Sequence, residues 1–203
     1  MIIPNSFQIN KNWWIQFPYP LRLITKIRFF AAFGAGGVIY LTSLIFNNIG
    51  FSATEIGLGF TISAIIGTVT RLFTGNYLNK KGDIQFPIVT SSILSIAASL
   101  CLIFSRDTFF YIIGQSFVGA AAGIYWPAAE FGVPYFCHSI DTRKAYALVR
   151  SSEALGIFLG VLIGGYMTNF LYAKSIFIND IFCMLFITSV SYTHLTLPTI
   201  LLV

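Results

Sequence analysis

Six apolar runs, each about as long as a bilayer is thick, constrain this chain more than any other feature. A transmembrane helix needs about 20 mostly apolar residues. The runs cover roughly Ile27–Ile49, Ile56–Leu78, Phe86–Phe104, Phe109–Phe136, Ala145–Leu171 and Ser175 to about Val190. Between them lie breakers and polar residues: Asn47 to Gly50, Asn79 to Asp83, Ser105 to Asp107, His138 to Lys144, and Tyr172 to Lys174. Only 9% of the residues are charged and the mean hydropathy is +0.79, whereas soluble domains carry roughly 25% charge. Disordered, collagenous and coiled-coil chains need high charge, a glycine period or heptads, and are excluded. Cys101, Cys137 and Cys183 stand far apart inside apolar runs, with neither metal spacing nor a disulfide framework. No basic cluster with interleaved aromatics stands outside an apolar run, so no nucleic-acid partner is expected. The expected fold class is an all-α membrane protein, a six-transmembrane-helix bundle whose first partner is the lipid bilayer.

The basic residues orient it. With the N-terminus in the cytoplasm, that side holds Lys11, Arg22, Lys26, Arg28, Lys80, Lys81, Arg143, Lys144 and Arg150. The opposite side holds Arg106 and Lys174, and Arg71 falls within the second span. Positive charge favours the cytoplasmic side, so both ends of the bundle are expected there, in the plasma (inner) membrane of the cell. No short apolar core with a small-residue cleavage site follows the first twenty residues, so a cleaved signal peptide is not expected. Residues 1–26 are expected to form a cytoplasmic segment in which Trp13, Trp14, Phe17 and Tyr19 anchor at the interface.

The end of the chain departs from this pattern. Val190 to Thr199 reads VSYTHLTLPT, without a helical apolar period, and interrupts the sixth span early. It is similar to the translated end of a transposase-type sequencing adapter; a genuine polar C-terminus is the alternative. The expected organisation is therefore a six-helix domain over 27–190 and a non-native tail over 191–203, with the natural reading frame continuing beyond it. His194 is then no ligand.

The loop after the second span reads Gly75-Asn76-Tyr77-Leu78-Asn79-Lys80-Lys81-Gly82. With six spans and an inside N-terminus, this resembles the loop signature of the major facilitator superfamily: Gly, three residues, Asp or Asn, a basic residue, one residue, Gly. The basic residues usual after the second glycine are replaced by Asp83 and Ile84. Physically, Gly75 would let two helices approach closely, Asn79 would cap or bond across helix ends, and Lys80 and Lys81 would hold the loop at the anionic leaflet. The fourth span carries Gln115, Gly119, Gly123 and Pro127. Gln115 stands where proton-coupled members carry Arg, which puts proton coupling through that helix in doubt. The fifth span, with Gly156, Gly160, Gly164 and Gly165, resembles the family's antiporter glycine motif, except that Val161 replaces its Pro. The sugar-porter pattern is absent.

The resemblance covers spans one to six, one half of a twelve-helix permease. It implies two inverted three-helix repeats, a substrate site near the bilayer midplane between two halves, and alternating access. It implies as partners a small-molecule substrate, a coupling proton or ion, and a C-terminal six-helix half missing from this chain. No cofactor and no metal site is expected. Gly119, Gly123, Gly156, Gly160 and Gly164 are expected helix-packing positions.

Charges inside spans are expensive, so each is a functional candidate. Arg71, one turn before Gly75, is either an anion-binding or gating arginine, as a resemblance to nitrate porters suggests, or a packing arginine that reaches the inner interface or pairs with an acid. On the fourth span Gln115, Gly119, Ala122, Trp126 and Glu130 fall on one face. That stripe and the bend at Pro127 point to a cavity lined by Gln115, Trp126 and Tyr125, with Tyr40 of the first span as a weaker candidate. Plain helix packing is the other reading. Glu130 and Arg150 each lie about ten residues from the turn near Ile140, at similar depth, and are expected to form an ion pair that can hold a gate. Glu153 lies near the glycine face of its helix, within i,i+3 reach of Arg150. Asp180 is in the sixth span, and His138 is a loop residue.

No nucleophile-and-base set, phosphate loop or metal spacing is visible, so an enzyme is not expected. The remaining alternative to transport is a six-helix scaffold or receptor-like protein. The loop signature and the span-five glycines together discriminate against it.

Overall fold

The computed structural model describes residues 13–137 and 140–194. Lys11, His138 and residues 195–203 of the expected tail fall outside these. Six helices follow one another: α1 Tyr19–Asn48, α2 Ala53–Lys81, α3 Gln85–Phe104, α4 Thr108–Phe136, α5 Thr142–Phe170 and α6 Ser175–His194. All six are long and apolar enough to cross a membrane. The protein is an all-α, multi-pass membrane bundle.

Local signals set the helix ends. Pro20 stands in the first turn of α1, where its missing N–H costs nothing. The helix therefore starts eight residues before Ile27. Ser52 and Glu55 form a reciprocal capping box at the start of α2. Gly82 ends α2 in the left-handed conformation, at φ 65°, and its N–H donates to the Leu78 carbonyl. Asp107 caps α4 by accepting from the Phe110 N–H, and Asp141 caps α5 by accepting from the Arg143 N–H. The Arg143 side chain bonds the same carboxylate, and Arg143 holds Asp141 below the usual carboxylate range.

Two boundaries differ from expectation. Phe17 is 4% exposed and packs with Leu21, Val133, Cys137 and Ala145, so it wedges into the α4–α5 end of the bundle instead of anchoring at the lipid interface. The sixth span does not stop at Val190: α6 continues to His194, with Ser191 buried. No helix breaker occurs before Pro198, and a backbone at membrane depth keeps its hydrogen bonds by staying helical.

Packing follows a pseudo-twofold plan. α1 packs mainly on α5 and α6, while α4 packs mainly on α2 and α3, and α3 closes against α6. Exchanging α1–α3 with α4–α6 leaves this pattern unchanged, as two inverted three-helix repeats require. Glycines make the two long seams. A Cβ on Gly119 would strike the Ser63 carbonyl, and one on Gly123 the Gly67 carbonyl, so α4 lies directly on the backbone of α2. On the other seam, Gly156 and Gly160 meet the carbonyls of Phe29 and Phe33 on α1, and Gly164 faces Leu41 and Ile176. Such backbone-to-backbone approach replaces the hydrophobic driving force that lipid removes. Gly75 differs from its expected role. A side chain there would meet open space, because Gly75 lies on the outer face of α2, away from α4.

Candidate functional site

One cavity, of about 110 Å³, lies between α1 and α4, backed by α3 and α6. It is mostly apolar, with walls such as Ala31, Ala35, Val118 and Ala122. Its polar groups are few: Arg28, Tyr125, Trp126, Asp180 and the serines Ser91, Ser95 and Ser99. A concave apolar site with a small number of placed polar groups is the form of a small-molecule pocket.

Arg28 organises one end of it. The guanidinium is 1% exposed, about two and a half turns into α1. Its Nη2 donates to Glu130 Oε1 at 2.6 Å and to Glu153 Oε2 at 2.8 Å, and its Nε donates to the same Glu153 oxygen at 3.1 Å. Arg150 completes the lattice, with Nη2 2.8 Å from Glu130 Oε1 and Nη1 3.2 Å from Glu153 Oε2. Two arginines and two glutamates from α1, α4 and α5 balance to zero charge. The Trp126 ring lies 4.5 Å from the Arg28 guanidinium carbon, a cation–π contact at the cavity wall. Arg28 Nη1 and the Tyr125 hydroxyl have no hydrogen-bond partner among the described residues. Both are buried, so they are groups a polar ligand could satisfy.

A family profile, the Major Facilitator Superfamily, matches residues 27–199, most of the chain. The chain belongs to that superfamily. No protein of curated function matches it. Members of the superfamily are membrane transporters, not enzymes.

The sequence candidates divide sharply. Tyr125 and Trp126 line the cavity. Gln115 does not: it is buried in the α2–α4 seam against Tyr111 and Gly59, because its face of α4 turns toward the glycines of α2. Tyr40 is 58% exposed on the outer side of α1, one residue past Ile39, the last cavity residue of that helix. Arg71 lies on the exposed side of α2 and makes no ion pair among the described residues. It does not line the cavity described above. Asn79 and Lys80 are exposed and bond no other described side chain; Gly82, not Asn79, closes the helix. At the same end of α2, Tyr77 donates to Asp83 at 3.3 Å, and Lys81 Nζ lies 5.6 Å from the Tyr77 ring centre.

Sequence reasoning missed Arg28, which counted only as one more basic residue of the cytoplasmic side, and it singled out Asp180 as a charge within a span without giving it a role. A signal for Arg28 existed: Glu130 and Glu153 are two acids within the spans, and Arg150 alone leaves one of them unbalanced.

Proposed function

We propose that the chain forms one half of a secondary transporter that moves a small solute by alternating access. In this reading α1 and α4 present the half-cavity, with Arg28, Tyr125 and Trp126 meeting the solute. A second six-helix half supplies the facing wall, and the two rock about the bilayer midplane without hydrolysis. The single observation that favours this over a scaffold is the pairing of an apolar cavity with a charge-neutral lattice, centred on the buried Arg28, at its edge. A scaffold gains nothing from a buried arginine tied to two acids within the spans, whereas a gate needs pairs that can be exchanged. With the N-terminus cytoplasmic, as the lysine and arginine distribution favours, the Arg28–Glu130–Glu153–Arg150 lattice lies on the cytoplasmic side of the cavity, in the plasma (inner) membrane. Arg71, outside the cavity, lends no support to an anionic solute.

The test is solute flux in proteoliposomes made with the full-length gene, screened across anions, amines and neutral solutes. Trp126→Ala and Tyr125→Phe should cut flux of the transported solute at least tenfold while the protein still inserts and unfolds normally. Flux unchanged in both variants would place the pathway elsewhere.

A further inference from the structure

The cavity contains a second polar centre that the ion lattice does not reach. Asp180, on α6, is 1% exposed. Its Oδ2 accepts hydrogen bonds from Ser95 Oγ at 3.0 Å and Ser99 Oγ at 2.7 Å, both on α3. Its Oδ1 has no hydrogen-bond partner among the described residues. That oxygen lies against α1 at Gly34, where a Cβ would come within 2.8 Å of it. Asp180, Ser95 and Ser99 all line the cavity.

Every charge around it is already committed. From α1 the cavity receives Arg28, held by Glu130 and Glu153 and balanced by Arg150. α3 offers only serine hydroxyls, α4 offers the Tyr125 hydroxyl, and α5 offers Ile157. On α6 itself, Cys183 follows about one turn later, and Lys174, just before α6, donates to the carbonyls of Ile103 and Ser105 at the end of α3. Asp180 is therefore the one carboxylate of the cavity without a counter-charge among the described residues. A lone buried carboxylate in an apolar setting is so costly that it is neutralised. A metal ion would need a cage of oxygens, but both serine hydroxyls aim their protons at Oδ2, and Gly34 offers no side chain.

We propose that Asp180, braced by Ser95 and Ser99, is a proton-binding site built into the cavity wall. Because the lattice beside it sums to zero, binding or release of this one proton sets the cavity's net charge at 0 or −1. Use of that change to couple a proton to solute movement rests on the transport reading above; the site itself does not. It also puts the titratable group on α6, away from the α4 position that Gln115 fills.

The test is infrared spectroscopy of the complete chain reconstituted in lipid. At neutral pH the protein should show the carbonyl stretch of a protonated carboxyl, lost in Asp180→Asn and kept in Glu130→Gln and Glu153→Gln. Isotopic labelling of aspartate in the unsubstituted chain, which needs no variant to fold, should shift that band, since Asp83, Asp107 and Asp141 are all exposed. Absence of an aspartate-sensitive band at neutral pH, or its survival in Asp180→Asn, overturns the proposal. Flux without the band would sink the proton site and leave the transport reading standing; the band without flux would do the reverse.

Discussion

Replacing Arg28 by glutamine tests whether the four-charge lattice holds α1, α4 and α5 together. The side chain is 1% exposed and donates three bonds to two carboxylates. Charge-assisted bonds are worth about 1.5–3 kcal/mol each. Nε and Nη2 share one Glu153 oxygen, so two such interactions are the fair count, and glutamine restores one neutral bond. The substitution also turns a neutral lattice into one of charge −1, and an unbalanced charge within a span costs about 2.5–3.5 kcal/mol. These describe one effect from two directions and are not added. Glu130 and Arg150 keep 33% and 55% of their side-chain surface exposed, so water screens part of the imbalance. The expected loss is about 3 kcal/mol, at the low end for a broken buried pair. Reversible unfolding in mixed micelles measures it. Arg28→Gln combined with Glu153→Gln leaves Arg150 with Glu130, restoring neutrality, and should recover about half the loss. A single variant within about 1 kcal/mol of the parent, or a double variant as unstable as the two single losses added, would refute the lattice as a unit.

Other substitutions separate close packing from open surface and set orientation. Gly160→Val should destabilise the bundle by more than 3 kcal/mol, a scale typical of overpacking and beyond, because its Cβ meets the Phe33 carbonyl. Gly75→Ala should be neutral or stabilising by about 0.5–1 kcal/mol, since it faces open space; unfolding midpoints of the pair decide whether the glycine seams are placed correctly. Lys174→Met removes the ammonium that donates to the Ile103 and Ser105 carbonyls and sits 5.3 Å from the Phe46 ring centre. It should cost about 1–3 kcal/mol, and a change below half a kcal/mol would show that the clamp is idle. Single cysteines at Ser52 and Asn79, in a background without Cys101, Cys137 and Cys183, should label with an impermeant reagent from outside and from the cytoplasm respectively; the reverse pattern overturns the orientation.

The fold was legible because lipid leaves few options. A backbone at bilayer depth must be helical or closed, so six apolar runs meant six helices before any packing was known. The positions of Gly119, Gly156 and Gly160 also carried information, since runs of small residues at helical spacing mark where backbones can touch. Sequence could not say which face of a mostly apolar helix turns inward. α2 shows this: apart from its line of small residues against α4, most of it is exposed, and Gly75 and Arg71 both fall on that side. The loop signature identified the family correctly while giving no guide to which of its residues are packed.

The site was half legible for a reason that reaches beyond these residues. Tyr125 and Trp126 could be placed near a cavity because a polar stripe and Pro127 coincide on one helix. The same stripe pointed at Gln115, yet α4 is shared between two neighbours: its Gln115 end turns into the glycine seam with α2, and its Trp126 end turns toward α1. A stripe defines a direction only while the neighbour stays the same. Arg28 and Asp180 needed a different argument, charge balance across helices. Among the acids of the spans, Glu130 and Glu153 require two cations at one depth, and Arg28 and Arg150 meet that requirement. Asp180 finds none. Counting buried charges in this way ranks membrane residues more sharply than motif matching does, because an unbalanced charge in hydrocarbon must have a partner that comes and goes.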